Sequence, residues 1–66
     1  MEIRWKKDYG DGEYTEDVVL WLDDNPTKSY ICDCGGFKSV FVDGVEIAMV
    51  NTFKEGKEVI RSELSL

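Results

Sequence analysis

Residues 40–47, VFVDGVEI, place an Asp-Gly pair between two runs of β-branched and aromatic side chains. Asp-Gly is a favoured pair for a type I′ turn, because both central residues of that turn adopt positive φ. The segment therefore predicts a two-residue hairpin turn at Asp43-Gly44. A turn of this length also fixes the pairing of the two strands, with Val42 opposite Val45, Phe41 opposite Glu46 and Val40 opposite Ile47.

A second Gly-containing pair, Glu55-Gly56, predicts another tight turn and a final strand after it. The registers of the two turns agree on which face of the resulting three-stranded C-terminal meander is apolar. That face would collect Val40, Val42, Val45, Ile47, Met49, Ile60, Leu64 and Leu66.

Upstream, Gly35-Gly36 predicts a third hairpin, which pairs Asp33 with Lys38 as opposite charges. The same register pairs Ile31 with Val40 and places a second apolar set on the other face, namely Tyr30, Cys32, Phe37 and Phe41. The turn residues of segment 23–27 predict one more reversal, and Pro26 leaves its register open. Trp21 opposite Tyr30 is the pairing we consider there.

Residues 16–24 fit two structures. Thr15 could cap a short helix, whereas the Val-Val-x-Trp run favours a strand, and two aspartates would oppose the dipole at a helix C-terminus. We expect a strand. A first strand over Glu2–Lys7 would then return through Gly10-Asp11-Gly12.

These elements predict one all-β domain over residues 1–66, with five or six short antiparallel strands in a meander. Both faces of the middle strands are partly apolar, so we expect a coiled sheet or a small SH3-like or OB-like barrel. Dimerisation is another way to cover the second face. The alternative fold is α+β, with a short helix at 16–24.

The composition excludes several classes of function. The 66 residues include 14 acidic, 8 basic and no histidine side chains, for a net charge of −6. Histidine-based catalysis is therefore absent, and direct nucleic-acid binding through phosphate contacts is disfavoured. No catalytic or cofactor motif occurs, so we expect neither an enzyme nor a cofactor. The N-terminus lacks an apolar signal region and the longest apolar run is Val18–Leu22, which predicts no membrane association and a cytoplasmic protein.

The acidic residues are concentrated in one part of the chain. Seven lie between residues 8 and 24 with no Lys or Arg among them, whereas the remainder has a net charge of +1. Such a run is either a solvated edge hairpin or an anionic docking surface. The docking hypothesis names as partner-binding residues Asp8, Asp11, Glu13, Glu16, Asp17, Asp23 and Asp24, together with the aromatic Trp21, Tyr30 and Phe41.

The two cysteines, Cys32 and Cys34, would point to the same side of a strand. We expect two free thiols and assign no metal, because a structural zinc site needs four ligands and the chain offers two cysteines and no histidine. Two alternatives remain open: a zinc site completed by a symmetric dimer, and a redox pair, which the adjacent Asp33 disfavours. The acids near Gly12 do not match the order of a calcium-binding loop.

The sequence thus predicts a non-enzymatic, acidic protein–protein interaction module. We expect it to dock its anionic hairpin on a basic, nucleic-acid-binding surface of a partner such as a nuclease or defence complex, as a nucleic-acid mimic. Its length and charge are similar to those of virus-encoded nuclease inhibitors, an analogy of class without a shared motif. The alternative is a small assembly subunit that forms a homo-oligomer, such as a homodimer, through an aromatic sheet face.

Overall fold

Five consecutive strands form one antiparallel sheet in sequence order, and a helix follows the last strand. The structure, a computed structural model, describes residues 1–9 and 16–66, and the side chains of all of these except Asp8, Tyr9 and Glu16. Its elements are β1 (Ile3–Tyr9), β2 (Glu16–Leu22), β3 (Asn25–Asp33), β4 (Lys38–Val42), β5 (Val45–Val50) and α1 (Phe53–Leu64). The predicted turn at Gly10-Asp11-Gly12 lies outside the described residues.

Two-residue turns in the left-handed region of φ join β2 to β3 and β4 to β5. The predicted Asp43-Gly44 turn is confirmed, with φ of 52° and 82° and Val42 paired with Val45. Asp23 and Asp24, with φ of 50° and 66°, form the corresponding turn after Leu22. Positive φ at both central positions is characteristic of type I′ turns, which match the twist of antiparallel strands.

The register of β3 against β4 is also confirmed, since Asp33 pairs with Lys38 and Ile31 with Val40. Lys38 Nζ lies 3.9 Å from Asp33 Oδ1. Residues 16–22 form the expected strand, and the alternative helix at 16–24 is wrong.

The proposed pairing of Trp21 with Tyr30 is wrong. The two-residue turn at Asp23-Asp24 sets Leu22 opposite Asn25 and Trp21 opposite Pro26, and after a register shift between Val19 and Trp21, Tyr30 pairs with Val19. Thr27 Oγ1 donates a 2.8 Å hydrogen bond to the Leu20 carbonyl at this irregularity.

The predicted turn at Glu55-Gly56 and the final strand are wrong, because these residues belong to α1. Thr52 is the N-cap: its Oγ1 accepts a 3.1 Å hydrogen bond from the Glu55 backbone N–H. The helix ends at Ser65, whose φ of 56° ends the helical conformation in a left-handed C-cap. Gly56 is therefore a buried helix residue rather than a turn residue.

A second register shift lies between Val40 and Phe41, so that Val40 pairs with Ala48 rather than with Ile47. This β-bulge reverses the expected facing of residues 48–50, whereas Val45 stays on the core side opposite Val42. Val45, Ile47 and Met49, which were expected in the core, are 63%, 40% and 66% exposed. Ala48 and Val50 pack against the core in their place.

The core lies between one face of the sheet and α1. Its buried residues are Val18, Leu20, Ile31, Val40, Val42 and Ile60. Helix α1 contacts β3, β4 and β5, and so covers this face without closure of the sheet. The five described strands do not close into a barrel, since β1 and β5 are the edges of the sheet. The fold is thus a sheet-dominated structure with one short C-terminal helix.

Candidate functional site

The face of the sheet opposite α1 carries apolar side chains that are not part of the core. Side chains alternate between the faces of a strand, so the neighbours of core residues point away from the helix. We call this surface the open face, and its residues are Lys6, Asp17, Val19, Trp21, Tyr30, Cys32, Phe41, Glu46 and Met49. No helix or strand within residues 1–9 and 16–66 packs on it.

One row of paired residues crosses all five strands of the open face. Lys6 pairs with Val19, Val19 with Tyr30, Tyr30 with Phe41 and Phe41 with Glu46. The row therefore has a cation at the β1 edge, an anion at the β5 edge and apolar side chains between them. Tyr30 stands on β3, the central strand of the sheet.

The rings on the open face contact one another and the cation. Tyr30 and Phe41 stack with their centroids 4.6 Å apart and their planes 13° from parallel. Lys6 Nζ lies 3.9 Å from the centroid of the Trp21 ring, within the range of a cation–π interaction. All three aromatic residues are half-buried, so each ring presents part of its surface to solvent.

A hollow of about 500 Å³ opens beside Tyr30 on the same face. It is lined by Asp17, Val19, Pro26, Thr27, Lys28, Tyr30 and Gly44. This lining combines apolar side chains with one acidic and one basic side chain.

The end of the open face near Asp33 is polar. Asp17 pairs with Cys32, and Cys32 pairs with Ser39. The Sγ atoms of Cys32 and Cys34 lie 3.8 Å apart, and Cys34 Sγ lies 3.7 Å from Ser39 Oγ. Cys32 and Cys34 form no disulfide bond in this structure.

The Cys32 thiol is held in its protonated form. Burial, followed by the neighbouring side chains of Asp17 and Cys34, raises the pKa of Cys32 to about 12. Cys32 is therefore a poor nucleophile at neutral pH, which weakens the redox hypothesis for this pair.

The structure separates the acids of the predicted docking surface. Asp17 lies on the open face, and Asp23 and Asp24 lie at the β2–β3 turn, about 20 Å away along β2. Asp23 Oδ1 accepts a 2.9 Å hydrogen bond from the Glu2 backbone N–H, and Arg4 Nη1 lies 3.8 Å from Asp24 Oδ1.

Two of the other predicted acids, Asp8 and Glu16, lie at the end of the β1–β2 hairpin near Asp17. Asp8 stands in β1 opposite Asp17, and Glu16 begins β2 opposite Tyr9. Asp11 and Glu13 lie outside the described residues. Of the ten predicted site residues, the structure therefore brings together Asp17, Trp21, Tyr30 and Phe41 on the open face.

Sequence reasoning missed Lys6, Glu46 and Met49 as parts of this surface. The Asp43-Gly44 turn already placed Glu46 opposite Phe41, so Glu46 was recoverable from the predicted register. Met49 was not recoverable from the predicted register, because the bulge at Val40/Phe41 determines on which face of the sheet its side chain lies.

Two further features of the described residues bear on classes of function. No helix there is both long enough and apolar enough to cross a membrane. Within those residues, no three His, Cys, Asp or Glu side chains cluster as ligands for a metal ion. No protein-family model, curated protein or solved structure matches the chain.

Proposed function

We propose that the protein is a non-enzymatic protein–protein interaction module whose open face packs against the open face of a second copy. The observation that carries this proposal is the row Lys6–Val19–Tyr30–Phe41–Glu46, which has a charge of opposite sign at each end.

The row is self-complementary under one arrangement of two copies. A two-fold axis along β3, in the plane between two facing sheets, places β1 of one copy over β5 of the other. Lys6 of each copy then lies against Glu46 of the other, Val19 against Phe41, and Tyr30 against its own counterpart. A two-fold axis across the strands would instead place Lys6 near Lys6.

The exposed side chains supply the apolar contact that such packing needs. Tyr30, Phe41 and Trp21 are large rings of the kind that contribute most to binding at interfaces. Met49, 66% exposed on β5, adds a flexible side chain at the margin. Sheets that pack face to face bury surfaces of this composition.

A matched pair of variants tests the choice of face. Met49 and Val45 lie on β5 with 66% and 63% exposure, but Val45 pairs with the buried Val42 and points to the helix side. We expect Met49→Glu to raise the dimer dissociation constant at least about tenfold, because it buries an unpaired charge. Val45→Glu should leave it unchanged in sedimentation equilibrium.

A charge exchange tests the two-fold axis along β3. Lys6→Glu and Glu46→Lys should each weaken the dimer, and the double variant should restore it. A double variant as weak as the single variants would contradict this axis. A protein that stays monomeric up to millimolar concentration would overturn the proposed function.

A second function, docking on a basic partner, is favoured by the charge at one end of the β1–β2 hairpin. Residues 8–17 contain five acids and no Lys or Arg, and Asp8 stands opposite Asp17. Such a concentration of negative charge attracts basic surfaces, including those of nucleases, and the attraction weakens with salt.

This second function is tested by binding to basic nucleases at low and high salt. Reversal of Glu13 and Glu16 to lysine should abolish any salt-dependent complex. The matched reversal of Asp23 and Asp24, at the far end of β2, should leave it intact. A complex indifferent to salt, or lost equally in both variants, would contradict docking by this end of the hairpin.

A further inference from the structure

The thiols of Cys32 and Cys34 have the separation of two ligands on one tetrahedral metal ion. Their Sγ atoms are 3.8 Å apart. Zinc–thiolate bonds are about 2.3 Å long, so two sulfurs on one tetrahedral zinc ion lie about 3.8 Å apart. Cys34 is exposed and Cys32 is half-buried, so an ion arriving from the open face reaches both atoms.

We propose that the cysteine pairs of two copies meet at the two-fold axis and bind one thiophilic divalent cation of the zinc class through four thiolates. This inference rests on the proposed packing of the open faces. Cys32 lies on β3, and an axis along β3 keeps it level with its counterpart. Facing sheets are about 10 Å apart, a gap that two opposed cysteine side chains with an ion between them can fill.

The surroundings of the thiols favour a bound cation. Oδ1 of Asp17 is buried and has no hydrogen-bond partner, and Asp17 stands directly opposite Cys32. A buried polar atom without a partner indicates a water or an ion that completes its environment. Ser39 Oγ is placed to donate a hydrogen bond to the Cys34 thiolate.

Binding of the ion is an exchange of protons for metal. Each copy releases one proton from Cys32 and one from Cys34, so a site of four thiolates releases four protons for each ion bound. No electron is transferred, and neither an oxidant nor a reductant is required. The dimer should therefore be tighter with the ion than without it.

Cobalt(II) is the probe for this site, because its visible bands report tetrahedral coordination and its near-ultraviolet band reports thiolate ligands. We expect titration of the full chain under reducing conditions to saturate at one cobalt for every two chains. Cys32→Ser and Cys34→Ser should each abolish the thiolate band.

The outcomes separate this inference from the proposed function. A protein that dimerises but shows no thiolate–cobalt band would overturn the metal site and leave the interaction module intact. Saturation at one cobalt per monomeric chain would overturn the shared site. A protein that stays monomeric with and without cobalt would overturn both proposals.

Discussion

A Cβ atom placed on Gly56 would lie 2.8 Å from Cδ1 of Ile31, and 3.0 Å and 3.3 Å from two other atoms of the same side chain. Helix α1 therefore approaches β3 closely at this point, because Gly56 has no side chain to hold the two elements apart. Ile31 is fully buried, so its side chain has no free space into which to move.

We expect Gly56→Ala to destabilise the protein by about 1 kcal/mol. Overpacking of a core lowers the unfolding free energy by about 1–3 kcal/mol, and the higher helix propensity of alanine offsets up to about 1 kcal/mol of this loss. Urea denaturation followed by circular dichroism measures the difference. Gly36→Ala, where nothing lies within 4 Å, is the control and should change stability by less than about 0.5 kcal/mol.

The contact with Ile31 can be tested in the same experiment. Ile31→Val removes Cδ1, the closest atom, so it should be less damaging in the Gly56→Ala background than in the wild type. If the losses of unfolding free energy in the two single variants simply add in the double variant, the close approach to Ile31 is not the cause of the destabilisation by Gly56→Ala.

The N-cap of α1 gives a second prediction. Thr52→Ala removes the oxygen that accepts from the Glu55 N–H and should cost about 1 kcal/mol of stability. Thr52→Ser keeps this oxygen and should lose much less. Equal losses of melting temperature in the two variants would instead point to packing of the threonine methyl group.

The third prediction concerns the reactivity of Cys32. Burial is the main cause of its raised pKa and Asp17 is the next, so Asp17→Asn should lower that pKa. In a Cys34→Ser background, the rate of alkylation by iodoacetamide against pH reports Cys32 alone. We expect the midpoint of the wild-type residue near pH 12 and that of the Asp17→Asn variant at lower pH. Coincident profiles would show that Asp17 does not act on this thiol.

The same shift makes stability depend on pH. Below pH 9 the Cys32 thiol is protonated in both the folded and the unfolded chain. Between pH 9.0 and about 12, the unfolded chain loses the proton while the folded protein retains it. The stability that Cys32 contributes therefore declines as the pH rises through this range. The difference in unfolding free energy between wild type and Cys32→Ala should be constant below pH 8 and smaller at pH 11.

Local turn chemistry predicted much of the sheet. The Asp43-Gly44 turn and the pairings of Asp33 with Lys38 and Ile31 with Val40 follow from residues a few positions apart, which the chain fixes without help from distant contacts. These registers placed Tyr30 and Phe41 together on the face away from Val40, and the structure confirms this part of the open face.

The error at the C-terminus came from Gly56. Its pairing with Glu55 resembles a hairpin turn, but the glycine is selected here by the close approach of Ile31, a contact across 25 residues of chain. The signal for the helix was nevertheless present. Thr52 and Glu55 have the spacing of a capping box, and Phe53, Gly56 and Ile60 follow the period of a helix.

The facing of β5 could not be derived from its residues. The strand has apolar side chains at both odd-numbered and even-numbered positions, so its sequence does not show which set faces the core. The odd-numbered positions hold Val45, Ile47 and Met49, and the even-numbered positions hold Ala48 and Val50. The bulge at Val40/Phe41 places Ala48 and Val50 on the core side and Met49 on the open face. The distance in space between Asp17 and the pair Asp23 and Asp24 likewise could not be derived from the number of charges along the chain.

Fluorescence of the two tryptophans tests the central claim most directly, because Trp21 lies on the open face and Trp5 packs against the core side. In a Trp5→Phe variant, the emission of Trp21 should shift to shorter wavelength and become less accessible to acrylamide as protein concentration rises. In a Trp21→Phe variant, the emission of Trp5 should not change over the same range. Emission from Trp21 that is independent of concentration, or a change confined to Trp5, would contradict pairing through the open face.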